Sequence, residues 1–149
     1  MRHRNLLVCI AVVTAVLFFT SSAAAQTEAR FGVWVNASNP NNMMTYEPFE
    51  KGGSKLTVSN PSRPESSWGY VTFFDGTFRP VTGQPGSETA VEVINDKSIR
   101  ISNKRDGVVY QIVINTLSAD NNTISNEYIR MDKDGKITGV THATYHRRK

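Results

Sequence analysis

The chain has 149 residues, of which 39% are hydrophobic and 20% charged, with one cysteine and a formal net charge of +4. That length leaves room for one ordinary domain. The hydrophobic fraction excludes a disordered chain, and the lone cysteine excludes a disulfide scaffold.

Arg2, His3 and Arg4 open the chain, and a nearly unbroken apolar run follows from Leu6 to Phe19. Small residues then lead to Ala23-Ala24-Ala25, which meets the A-x-A requirement of signal peptidase. A spanning helix needs about 20 apolar residues, more than this run supplies. Residues 1–25 therefore read as a cleaved signal peptide and 26–149 as a single mature domain. The protein is expected to be exported, periplasmic or secreted, with no stable membrane insertion after cleavage. Cys9 stands at the start of the apolar run, where lipid attachment does not occur, and cleavage discards it. A thiol-free mature chain suits an oxidising compartment. Cleavage also removes Arg2 and Arg4, lowering the net charge to +2, and Arg147, Arg148 and Lys149 supply +3 at the far end. The body between is close to neutral, so no basic stripe exists for nucleic acid.

The mature chain holds 19 Val and Ile against two leucines, Leu56 and Leu117, with 12 threonines and 12 aromatics. Such a β-branched, aromatic composition favours strands. No stretch keeps a helical apolar stripe over three turns, whereas alternation recurs: Val91 with Val93, Ile99 with Ile101, Val108 with Tyr110, Ile112 and Ile114, and Ile129 with Met131. Asp75-Gly76, Asn95-Asp96, Asp106-Gly107, Asp120-Asn121-Asn122 and Asp134-Gly135 separate these runs as tight turns. Strands are predicted near 31–36, 44–49, 54–59, 67–74, 77–81, 89–94, 97–102, 107–116, 123–131 and 136–146. Residues 36–42 and 60–67 read as surface loops, the first able to form part of a lid. Gly52-Gly53 and Gly139 mark a turn and a strand bend. Short connections from residue 89 onward make sequential strands antiparallel neighbours. The expectation is an all-β, antiparallel up-and-down barrel of about 8–10 strands, with a β-sandwich as the alternative.

Gly32-Val33-Trp34 stands at the start of the first predicted mature strand. A G-x-W there resembles the first fingerprint of lipocalins and the wider calycin barrels, in which the Trp closes one barrel end beneath an Arg beyond the last strand. The resemblance gives Gly32, Trp34 and Arg147 (or Arg148) that closing role. A larger match, over about 31–147, is to exported bacterial lipocalin-like proteins of unknown function. It rests on Gly32-x-Trp34, on Asp75-Gly76 followed by Pro80-Val81-Thr82-Gly83-x-Pro85, and on Thr89, Asp106-Gly107, Ser118-x-Asp120, Asp134-Gly135-Lys136 and Tyr145. The sequence departs from that pattern after Trp34, where Asn36-Ala37-Ser38-Asn39-Pro40 replaces a Lys-Ser-x-Phe run. The resemblance implies a fold and supplies no catalytic residues.

Candidate chemistry is sparse. Beyond the signal only His142 and His146 remain, on one strand face about 13 Å apart, too far to share a metal easily. Asp132-Lys133-Asp134-Gly135 resembles the start of a calcium loop but lacks its closing Glu, and reads as a hairpin turn. No nucleophile elbow, P-loop or dinucleotide fingerprint is present. Asn36-Ala37-Ser38 and Asn121-Asn122-Thr123 are glycosylation sequons by letter. Tyr128 and Arg130 share a strand face. In fatty-acid-binding barrels an Arg and a Tyr two residues apart hold a carboxylate inside the cavity, in the opposite order to that seen here. Against this stands the assignment with Ile129 and Met131 inside and Arg130 in water, since burying a lone guanidinium is costly. Tyr70 and Tyr110 either pack the core or line a pocket, and of the adjacent Phe73 and Phe74 one must face outward.

The sequence thus points to a monomeric, non-enzymatic, exported barrel that needs no cofactor or metal. It would bind a small apolar or amphipathic ligand through Tyr70, Tyr110, Tyr128 and Arg130. The alternative is a protein-binding or inhibitor module that grips its partner with the end loops.

Overall fold

A computed structural model describes residues 27–149; the expected signal segment, with Cys9, lies outside the described residues. Ten strands follow one another: β1 (Gly32–Asn36), β2 (Met43–Phe49), β3 (Gly53–Ser59), β4 (Trp68–Thr72), β5 (Arg79–Pro80), β6 (Ser87–Val93), β7 (Ser98–Arg105), β8 (Val108–Leu117), β9 (Thr123–Met131) and β10 (Ile137–Arg147). All belong to one sheet ordered β4-β3-β2-β1-β10-β9-β8-β7-β6-β5, with every paired neighbour antiparallel. The expected meander barrel is therefore present, and a single sheet whose first strand pairs with its last excludes the sandwich.

The tight turns form where the sequence supplies residues that tolerate a left-handed backbone. Asp106 and Gly107 take φ of 49° and 84°, the pattern of a two-residue hairpin. At the β9–β10 turn, Asp132 Oδ1 accepts from the amides of Asp134 and Lys136. The β1–β2 loop is short and tied down by its own asparagines: Asn36 Oδ1 accepts from the Ser38 and Asn39 amides, and Asn39 Oδ1 from that of Asn41.

The barrel nearly closes. The strands at the two ends of the order, β4 and β5, meet through one bridge, in which Gly69 and Thr82 exchange backbone hydrogen bonds of 3.0 and 2.8 Å. Strand β5 is shorter than the predicted 77–81. Pro80 has no N–H to donate, and the segment before it is drawn into a turn where Arg79 grips both carboxylate oxygens of Asp75 at 2.8 Å. Phe74, at φ 59°, packs on the core, while Phe73 meets Phe49 edge-on at 5.9 Å beneath the Arg79 guanidinium.

Inward positions on β8 differ from the apolar set Val108, Tyr110, Ile112 and Ile114. A bulge against β7 opposes Asn103 to Gln111 and Lys104 to Val109, leaving Tyr110 as the extra residue. Beyond it Val113, Asn115 and Leu117 are buried, and Ile112 and Ile114 lie half-buried on the outer face. The other inward positions carry Trp34, Met44, Tyr46, Leu56, Tyr70, Val91, Ile99, Ile101, Ile124 and Tyr145 as one core.

Candidate functional site

One end of the barrel is sealed from both chain ends. Thr27 and Glu28 begin a helical turn that brings Arg30 under the barrel, and Trp34 Nε1 donates to the Arg30 carbonyl at 2.8 Å. The Arg147 guanidinium lies 4.2 Å over the Trp34 ring and donates to the carbonyls of Ala29, Phe31 and Asn121. Gly32, at φ 122°, lies against that guanidinium, with a Cβ position only 3.1 Å from Arg147 Nη1.

The opposite half is hollow. A cavity of about 310 Å³ opens at the barrel mouth between the β1–β2 loop and the β5–β6 and β7–β8 ends. Met44, Leu56, Val58, Val81, Ile101 and Val113 give it an apolar wall. All five tyrosines of the chain, Tyr46, Tyr70, Tyr110, Tyr128 and Tyr145, also line it, together with Trp68.

Polar groups form two ladders along the wall. The longer begins at Arg30, which is only 1% exposed. Its Nε donates to Asn115 Oδ1 at 3.2 Å and its Nη2 to the Lys97 carbonyl at 2.8 Å. A guanidinium can only donate, so it sets the orientation of each amide after it. Asn115 must turn its oxygen to Arg30, and its Nδ2 then donates to Asn126 Oδ1 at 2.8 Å. Asn126 Nδ2 in turn donates to the Tyr128 hydroxyl at 3.0 Å. Asn115 Nδ2 also lies 3.5 Å from the Tyr46 hydroxyl, and Asn42 Nδ2 donates to that of Tyr145 at 3.2 Å. On the facing wall Thr89 donates to Asn103, and Asn103 to Gln111.

Burial governs the electrostatics. It pushes the Tyr46 phenol up to about 12, against the opposing pull of nearby Arg30, and raises Tyr70 and Tyr128 as well. These hydroxyls remain protonated donors. Burial likewise lowers the Arg30 guanidinium below its ordinary value, with the neighbouring Tyr46 and Tyr70 opposing the shift.

Of the residues singled out from sequence, Tyr70, Tyr110 and Tyr128 lie in the cavity wall. Arg130 does not. Although it shares a strand face with Tyr128, it is exposed and absent from the lining. It sits at the mouth end of β9, beside the β10 register shift between Ile137 and Gly139. There the guanidinium stays in water and avoids the cost of desolvation. His142 and His146 lie exposed along β10, opposite Glu127 and Thr123. Tyr46, Asn115, Asn126 and Arg30 were missed. Tyr46 could have been found, since it shares the inward face of β2 with Met44, but inward asparagines are invisible to a search for apolar alternation.

No protein-family model and no curated protein matches the chain. Solved structures do. A fatty acid binding protein of Schistosoma mansoni, in complex with arachidonic acid, superposes with a TM-score of 0.61 at 7% identity, covering 83% of this chain and 99% of that one. The fluorescent protein UnaG superposes with a TM-score of 0.56 at 11% identity, over 82% and 99% of the two chains. At such identities the likeness establishes the fold alone, a ten-stranded antiparallel barrel like those of these two neighbours.

Proposed function

We propose that this protein is an exported binding protein that holds a small hydrophobic or amphipathic molecule inside its barrel and catalyses no reaction. The observation that carries the reading is the mouth cavity itself, whose apolar wall is interrupted by a few converging polar groups. Its volume of about 310 Å³ stands at the lower end of the roughly 300–1,000 Å³ of ligand pockets. The neighbour solved with arachidonic acid supports the same use of the fold. Export is supported by the basic start, apolar run and Ala23-Ala24-Ala25 of the sequence.

Native mass spectrometry of the protein purified without detergent from its host's envelope or medium tests both parts. A chain beginning at Gln26, with a reproducible added mass of a few hundred daltons that organic solvent releases, is the expected result. The bare mass after gentle handling, with no uptake of added lipophiles, would overturn the binding reading. An intact N-terminus at Met1 would overturn cleavage after Ala25, and recovery from the cytoplasmic fraction alone would overturn export.

A further inference from the structure

We infer that the cavity selects a neutral, compact ring molecule carrying a carbonyl-type oxygen, which accepts hydrogen bonds from the tyrosine hydroxyls, in preference to an alkyl-chain anion. The inference rests on the binding reading above and gives the ligand a chemical class.

Charge is the first ground. Among the described residues the lining contains no Lys, Arg or His, and its one carboxylate, Glu88, is paired with Lys104 at 2.7 Å. Arg30 is held beneath the wall by Asn115 and the Lys97 carbonyl and does not line the cavity. An anionic ligand would therefore leave water without a lining cation to form a direct ion pair with it, which is unfavourable.

Hydrogen-bond direction is the second. Tyr70 is 5% exposed and lines the cavity, yet its hydroxyl has no hydrogen-bond partner among the described residues. Buried hydroxyls are ordinarily bonded, so an unbonded one facing a cavity indicates a ligand or water that completes it. The pair Tyr128 and Tyr145 gives a related count. Each oxygen accepts from an asparagine amide. Each hydroxyl keeps its own O–H to donate. Because the ladder starts from a guanidinium, reversing it to offer acceptors instead is not open to it. The cavity thus has surplus donors, and the matching ligand brings an acceptor.

Shape is the third. Rigid aromatic walls from Trp68 and the tyrosines suit flat or fused rings, which stack at little cost in conformational entropy.

Three probes of nearly equal size separate the possibilities: 2-acetylnaphthalene (neutral, with an acceptor), 2-ethylnaphthalene (neutral, without one) and 2-naphthoate (an anion). Their Kd values are measured on the ligand-stripped protein by displacement of the neutral naphthyl ketone dye prodan. The ketone should bind about tenfold tighter than the hydrocarbon, the worth of one net hydrogen bond, and the naphthoate more weakly than the ketone. Tyr70→Phe and Tyr128→Phe should each shrink the ratio of hydrocarbon Kd to ketone Kd, a comparison made within each variant. Equal binding of ketone and hydrocarbon, tightest binding of naphthoate, or an advantage that survives both substitutions would overturn the inference while leaving a working binding cavity. If neither prodan nor any of the three probes binds, the binding reading falls with it.

Discussion

Arg147 joins both chain ends at the sealed end of the barrel: its guanidinium covers Trp34, which is 0% exposed, and spans carbonyls from two separate segments. Three planar donors aimed at three fixed acceptors is a geometry a lysine cannot copy. Arg147→Lys should therefore destabilise the fold by about 3 kcal/mol, from unmet carbonyls and a weakened ring contact, read as a lower urea midpoint with an unchanged slope. A variant within about 0.5 kcal/mol of the parent, the usual range for a surface change, would show the contact to be ornamental. At this scale the sequence was only partly legible. Trp34 and Arg147 could be paired through a resemblance, and Tyr70, Tyr110 and Tyr128 through their aromatic character. Arg30 could not be found in that way. It precedes the first strand, and its burial depends on Asn115, 85 residues later in the chain. Arg130 misled because parity along a strand says which face a side chain takes, but not how near the rim it lies.

Among the elements, the meeting of β4 with β5 is the weakest join in the sheet, and Gly69 makes it possible. A Cβ at Gly69 would lie 2.4 Å from the Leu56 carbonyl oxygen, so Gly69→Ala must push β4 away from β3 or lose the bridge to Thr82. Overpacking of this kind costs about 1–3 kcal/mol. Amide exchange at Gly69 and Thr82 should accelerate well before exchange in β8 and β9. Gly139→Ala is the matched control, because nothing lies within 4 Å of its Cβ position, and it should leave the seam's exchange unchanged. All ten strands could be read from alternation and from Asp-Gly or Asn-rich turns, because both signals are local. The inner face of β8 could not. Ile112 and Ile114 carry the stronger apolar alternation, while the barrel interior takes Val113, Asn115 and Leu117 instead. A barrel that keeps a cavity tolerates polar residues inside, provided each finds a partner, and Asn115 finds Arg30 and Asn126.

Across the whole molecule, the shared burial of Tyr46, Tyr70 and Tyr128 couples stability to alkaline pH. Each phenol has an ordinary value of 10.0 and a raised one in the folded protein, about 12 for Tyr46. Below pH 10 their contribution is complete. As pH rises further the unfolded chain ionises first, so stability falls through the region of 12 and beyond. Ultraviolet titration should show the phenolate signal of these three arriving late and together with loss of the β-sheet circular dichroism. Their reversible ionisation near pH 10 with the barrel intact would contradict the burial described above. The pairing of β1 with β10 has a different consequence, in time rather than in energy. Trp34 lies opposite Arg147, so nearly the whole chain must be made before the first strand meets its second neighbour. Contacts so distant along the chain form slowly, and a nascent polypeptide on the ribosome has only half of the environment that Trp34 requires. A chain that has not yet reached Arg147 therefore stays open along the free edge of β1.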